Sequence, residues 1–145
     1  MGRVDFYILS IEGPDEHLRV ACRVADKAWR QGNRVRVESD DADTLRRLDA
    51  LMWTFKQESF LPHEIEGEHS DWQNLDPAPV VLATPGTPAD VPDVLINLSQ
   101  ALPPVSERCP RIAEIVSANP ESKQAGRDRY RSYRDRGFEL SSHQL

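Results

Sequence analysis

Lys123, Arg127, Tyr130, Arg131 and Arg134 recur at steps of four, three, one and three within the stretch KQAGRDRYRSYRDRGFEL, residues 123–140. On a helix those steps bring cations and a phenol ring to one broad face. A guanidinium offers paired donors in a fork that fits phosphate or carboxylate, and a tyrosine adds apolar area with one polar tip. Two ligand classes suit such a face. One is single-stranded nucleic acid, held by phosphate contacts and base stacking; the other is an acidic peptide with an aromatic or terminal carboxylate. The plain alternative is a solvated helix face, its arginines laced to Asp128 and Asp135 and its tyrosines, Tyr130 and Tyr133, covering a core.

Charge separates the two ligand classes. The chain carries a net −6, yet these eighteen residues carry +3 and the remainder −9. A long polyanion would be repelled by that remainder, whereas a short peptide docks locally. The balance favours the peptide. A second interaction surface is suggested by MWTFKQESFLPH, residues 52–63, where Trp53, Phe55, Phe60 and Leu61 crowd a helix end and a Pro62-bounded loop. Either these side chains pack under the loop or they form a patch for a partner protein.

Other residues with chemical potential lack the required spacing. HEIEGEH resembles a zinc-protease motif, but the second His of HExxH falls on Gly67, and His63 and His69 are six apart. A solvated loop without metal is expected. No GxSxG motif is present, Cys22 lies on an apolar stripe, and neither Cys22 nor Cys109 has a CxxC partner, so both are read as reduced thiols. Asp40, Asp41 and Asp43 follow Ser39 and precede Leu45, the ordinary arrangement for capping a helix. The turn SIEGPDEH holds one glycine, and neither GxGxxG nor GxxxxGK[ST] occurs. No nucleotide cofactor and no enzyme active site are expected.

The elements that would position the terminal stripe follow from periodicity. VDFYIL (4–9) reads as a strand, with Pro14 in the first turn of a helix over 15–31 whose inner stripe is Leu18, Ala21, Cys22, Ala25, Ala28 and Trp29. RVRVE (34–38) is a short strand, and Leu45, Leu48, Leu51 and Met52 stripe a second helix. Residues 38–90 hold twelve acidic and three basic residues and read mostly as solvated surface, including the loop HEIEGEHSDWQNLDPAP. PVVLAT (79–84), VLINLS (94–99) and RIAEIVS (111–117) read as further strands. Asn119-Pro120-Glu121-Ser122 opens a basic helix over about 120–136.

Strands alternating with helices imply an α/β fold with a largely parallel central sheet and helices on both faces. A length of 145 residues suits a single domain over 1–145. No apolar run approaches the ~18 residues of a membrane span, and no leader pattern opens the chain, so a cytoplasmic protein without membrane contact is expected.

Through DFYIL, AWRQGNRVRV, LDALMWTFKQESFLPH, VLINLS and RDRYRSYRDRGFEL, from Asp5 to Phe138, the chain resembles the chi subunit of bacterial DNA polymerase III. The resemblance implies a Rossmann-like fold that binds no nucleotide and a non-catalytic adaptor of the clamp-loader complex. It further implies that Lys123, Arg127, Tyr130 and Arg131, with Val116 as apolar wall, bind the acidic C-terminal tail of single-stranded DNA-binding protein. The patch of Trp53, Phe60, Pro62 and His63 then looks like the docking site for the psi subunit. The alternative is direct binding of single-stranded nucleic acid by the same helix. Two departures from the family pattern stand out. Gly126 falls inside the helix, where it costs about 1 kcal/mol relative to Ala and predicts fraying, and the acidic loop 64–76 matches no family feature.

Overall fold

The computed structural model describes residues 2–55, 61–68 and 77–145. In chain order the elements are β1 (Arg3–Ile8), α1 (Glu16–Arg30), β2 (Val35–Glu38), α2 (Ala42–Met52), β3 (His63–Ile65), β4 (Val80–Ala83), β5 (Val94–Asn97), β6 (Arg111–Val116), α3 (Pro120–Asp135) and β7 (Glu139–Gln144). The strands form one seven-stranded sheet in the order β3-β4-β2-β5-β6-β1-β7, and every pair is parallel. This is a Rossmann-like layered α/β architecture. The expected parallel sheet is complete rather than partial.

Both sheet faces are covered, and alternation along the strands explains how. From β6, Ala113 and Ile115 point into the layer of α1 and α2, where Leu18, Cys22, Leu45 and Met52 pack against Val37 and Ile96. Ile112 and Val116 point to the opposite face, beneath α3, with Phe6, Tyr133 and Phe138. A strand buried on both faces must be apolar at both alternations, which is why β5 reads VLIN and β6 reads RIAEIV.

Local signals set the helix ends. The Asn119 side chain accepts from Ser122 N at 2.8 Å, with Pro120 at the first helical position of α3. Asp41 caps α2 by accepting from Asp43 N. Pro14 lies outside α1, which starts two residues later at Glu16. Gly137, at φ 87°, takes the left-handed conformation that stops α3 and turns the chain into β7.

Two strands correct the sequence expectation. His63–Ile65 is no solvated loop: it pairs with β4 as the sheet's first strand, with His63 and Glu64 buried. Glu139–Gln144, of which only Glu139 and Leu140 fall in the basic stretch and none is expected as a strand, adds to β1 as the last strand. Both lie at the edges of the sheet, where mixed polar sequences such as HEI and ELSSHQ are tolerated.

Candidate functional site

α3 follows β6, so it starts at the C-terminal ends of the strands and runs back down the sheet face. Its buried side is Ser122, Gly126, Arg129 and Tyr133, spaced four, three and four apart as one helical face requires. Tyr133 turns fully inward, and its hydroxyl donates to Glu114 Oε2 at 2.7 Å. Arg129 Nε donates to Glu114 Oε1 at 3.0 Å, and Arg129 Nη1 donates to the Gln100 carbonyl at 2.9 Å. Asn97 Nδ2 completes the set at 3.0 Å. Burial pushes the Glu114 carboxyl up from its ordinary range, while the Arg129 charge and the hydrogen bonds from Tyr133, Asn97 and Arg129 pull against it.

The neighbouring flank of α3 lines a groove. Lys123, Gln124, Arg127, Tyr130 and Arg131 form its roof and rim; Phe6, Ile8, Val116 and Gln144 form its floor; the cavity volume is about 530 Å³. Val116, Lys123, Arg127, Tyr130 and Arg131 are brought together around this one groove. Arg134 is not part of it: this residue is exposed and lies 3.5 Å from Asp135.

Gly126 also lines the groove. A Cβ there would sit 3.0 Å from Val116 Cγ2, so the glycine lets α3 lie close on β6. The expected fraying does not occur, because α3 is continuous from Pro120 to Asp135 and tertiary packing overrides propensity. Tyr130 is half-buried, its ring 5.3 Å from that of Phe6.

The electrostatics divide the cations by role. Arg131 is held by Asp128, and Arg127 Nη1 donates to the neutral Gln124 Oε1 at 3.2 Å. Among the described residues no carboxylate lies within ion-pair distance of Lys123 or Arg127. Two unneutralised cations beside an apolar floor can receive an anion attached to an apolar group. The plain sequence alternative is thus met in part: Tyr133 covers the core and two arginines are laced to aspartates, while the groove flank stays open.

The second predicted surface is split. Trp53 is 53% exposed at the end of α2, with its ring 4.6 Å from the His63 imidazole. His63 is buried beneath it, its ring nitrogens 2.7 Å from the Leu61 carbonyl and 3.1 Å from that of Asp49. Pro62 is half-buried and Leu61 buried. Phe60 lies outside the described residues, as does His69. Among the described residues no three His, Cys, Asp or Glu side chains converge as metal ligands, and no helix is long and apolar enough to cross a membrane.

Sequence reasoning missed three features. Arg129 looked like one more surface cation, although its spacing from Ser122, Gly126 and Tyr133 marks the buried face. Glu114 sits in the middle of an apolar strand, a charge that signals a buried partner. Phe6, Ile8 and Gln144 reach the groove only through the β6-β1-β7 order, which no local pattern reveals.

A parallel α/β sheet carrying a basic and aromatic groove under its last helix defines a Rossmann-like layered α/β protein. The chain belongs to the DNA polymerase III chi subunit family: residues 1–141 match the family described as "DNA polymerase III chi subunit, HolC". It is 39% identical over 145 residues to the DNA polymerase III subunit chi of Pseudomonas aeruginosa, covering all of this chain and 98% of that protein. Identity to the Escherichia coli subunit chi is 30% over 147 residues, covering 98% of this chain and 97% of that one. For the Haemophilus influenzae protein it is 28% over 138 residues, 94% and 93% of the two chains. The role of the chain is accordingly an accessory one in DNA replication.

Proposed function

We propose that this chain is a non-catalytic, cytoplasmic adaptor of the clamp-loader complex whose groove binds the acidic C-terminal tail of single-stranded DNA-binding protein. The observation that carries this reading is the pair Lys123 and Arg127, without carboxylate partners among the described residues, above a floor of Phe6, Ile8 and Val116. Aspartates and a terminal carboxylate meet the cations, with Arg131 changing its partner from Asp128 to the tail. The tail's last aromatic ring enters the recess beside Tyr130. Trp53, the large exposed ring of α2, with Pro62, His63 and Phe60 around it in sequence, is the proposed docking surface for the psi subunit.

A titration with a short acidic peptide ending in Ile-Pro-Phe tests the tail site. The free-acid peptide should bind, and amidating its terminus should weaken it; equal binding of the two forms argues against the assignment. Arg127→Ala should cost roughly 1.5–3 kcal/mol if its guanidinium makes a charged hydrogen bond to the peptide. Pull-downs with Tyr130 and Trp53 altered separately should lose different partners.

Tyr130 on an open basic rim also suits base stacking, the second reading. It requires oligonucleotide binding without any partner protein, with a steep salt dependence from counterion release. Absence of a mobility shift at low salt removes it.

A further inference from the structure

β7 is the last strand in the order β3-β4-β2-β5-β6-β1-β7, and its outer edge has no neighbour among the described residues. The direction of its backbone groups follows from two bonds to β1: Glu139 N donates to the Gly2 carbonyl, and Leu145 N to the Ile8 carbonyl. In a parallel ladder, alternate residues face the same neighbour. Residues 139, 141, 143 and 145 therefore face β1, and the N–H and C=O groups of Leu140, Ser142 and Gln144 face outward. The side chains of these same three residues lie on the α3 side of the sheet, since Val4↔Leu140, Phe6↔Ser142 and Ile8↔Gln144 are in register and Gln144 lines the groove.

Above that edge the cations are placed at a matching interval. Lys123, Arg127 and Arg131 are four residues apart, a rise of about 6 Å per step, and alternate residues of an extended strand are about 6.6–6.8 Å apart. An extended peptide beside β7 would present every second side chain to a successive turn of α3.

We propose that an acidic peptide binds by adding an eighth, parallel strand to the outer edge of β7, under the cations of α3. This rests on the tail-binding reading and specifies its geometry. Parallel orientation follows from the position of the recess. Ile8, Val116 and Gln144 end their strands under the first two turns of α3, Val116 against Gly126, while Arg131 lies more than a turn further down α3. A peptide with its apolar terminus in the recess and its acidic residues toward Arg131 runs toward Gln144. Main-chain bonds then supply affinity, and the cations select acidic side chains at alternate positions.

The test leaves the protein unaltered. Amide hydrogen exchange is followed by NMR on the full chain, free and saturated with a short acidic peptide bearing a terminal aromatic residue and a free carboxylate. The N–H groups of Ser142 and Gln144 should exchange rapidly in the free chain and at least tenfold more slowly in the complex; those of Ser141 and His143 should be slow in both. A series of peptides carrying single backbone N-methyl groups should lose affinity tenfold or more at every second residue and little between. Binding without protection and without that alternation overturns edge pairing but leaves the groove reading standing. No binding overturns both. Protection in the free chain that grows with protein concentration shows that β7 pairs with a second copy of this chain, and also overturns the proposal.

Discussion

Arg129 Nε lies 3.0 Å from Glu114 Oε1 with both side chains almost wholly removed from water, one residue along α3 from the half-buried Tyr130 that roofs the open groove. Two neighbouring residues thus point to opposite fates: one into a closed polar network, the other toward a ligand. The network fixes how α3 is rotated on the sheet, and the rotation decides which arginines line the groove.

Breaking the pair should therefore damage folding rather than binding alone. Arg129→Met leaves a buried carboxylate without its counter-charge, and loss of about 3–5 kcal/mol is expected in urea denaturation. Tyr133→Phe removes one donor from Glu114 and should cost about 1–3 kcal/mol. Arg127→Ala, on the exposed rim, should shift stability by no more than about 0.5 kcal/mol while weakening peptide binding. Equal stability loss in all three would mean that the rim and the interior are one structural unit.

Gly126 and Val116 should be energetically coupled. Gly126→Ala gains about 1 kcal/mol of helix propensity, but its methyl group meets Val116 Cγ2 at 3.0 Å and Cγ1 at 3.3 Å. Overpacking of this kind costs about 1–3 kcal/mol, so the single substitution should be neutral to destabilising. In a Val116→Ala background the clash is gone and Gly126→Ala should stabilise. A double-mutant cycle by thermal or chemical denaturation measures the coupling; additive effects would show that α3 has room to move off β6.

What could be read in the sequence follows from how each element is held. α1 carries its stripe of Leu18, Cys22 and Ala25 within fifteen residues, and α3 announces itself through Asn119, Pro120 and its four-residue steps. β3 and β7 are held by partners far away in sequence, and HEI and ELSSHQ have too few apolar residues to signal a strand. At the groove, Lys123, Arg127, Tyr130 and Arg131 share a helix and could be grouped by spacing. Arg129 and Arg134 share the same residue type and neighbourhood, and only the rotation of α3 sets one inside and the other outside.

Acid should loosen the β6-β1-β7 side of the sheet through Asp5. This buried carboxylate on β1 lies 3.1 Å from Arg3 Nη2, 3.5 Å from Arg111 Nε and 3.2 Å from His143 Nε2. Burial alone pushes its pKa up, but hydrogen bonds from His143 and Arg3 and the charges of Arg3 and Arg111 outweigh it and hold it below the ordinary 3.8. A depressed carboxylate contributes stability above its unfolded pKa, and that contribution is lost as pH falls through the folded value. Melting temperature should drop below about pH 4, and Asp5→Asn should lower it at neutral pH while flattening the acid limb. An unchanged acid limb in the variant would assign the transition to other carboxylates.

Asp128 is placed to compete with the ligand. Its Oδ1 accepts from Gln124 Nε2 at 3.1 Å and also from Arg131 Nη2, while Gln124 Oε1 holds Arg127. The two groove arginines are thus joined through one exposed carboxylate that an incoming anion must displace from Arg131. Exposed pairs of this type contribute up to about 1 kcal/mol, so the displacement costs little and Asp128→Asn should raise affinity for an acidic peptide by about two- to fivefold. The salt dependence of binding should steepen, because the groove loses a compensating negative charge, and stability should change by less than about 0.5 kcal/mol. Titration at two salt concentrations separates this from the opposite case. If affinity falls instead, Asp128 serves to aim Arg131, and the preformed network rather than free charge is what the peptide recognises.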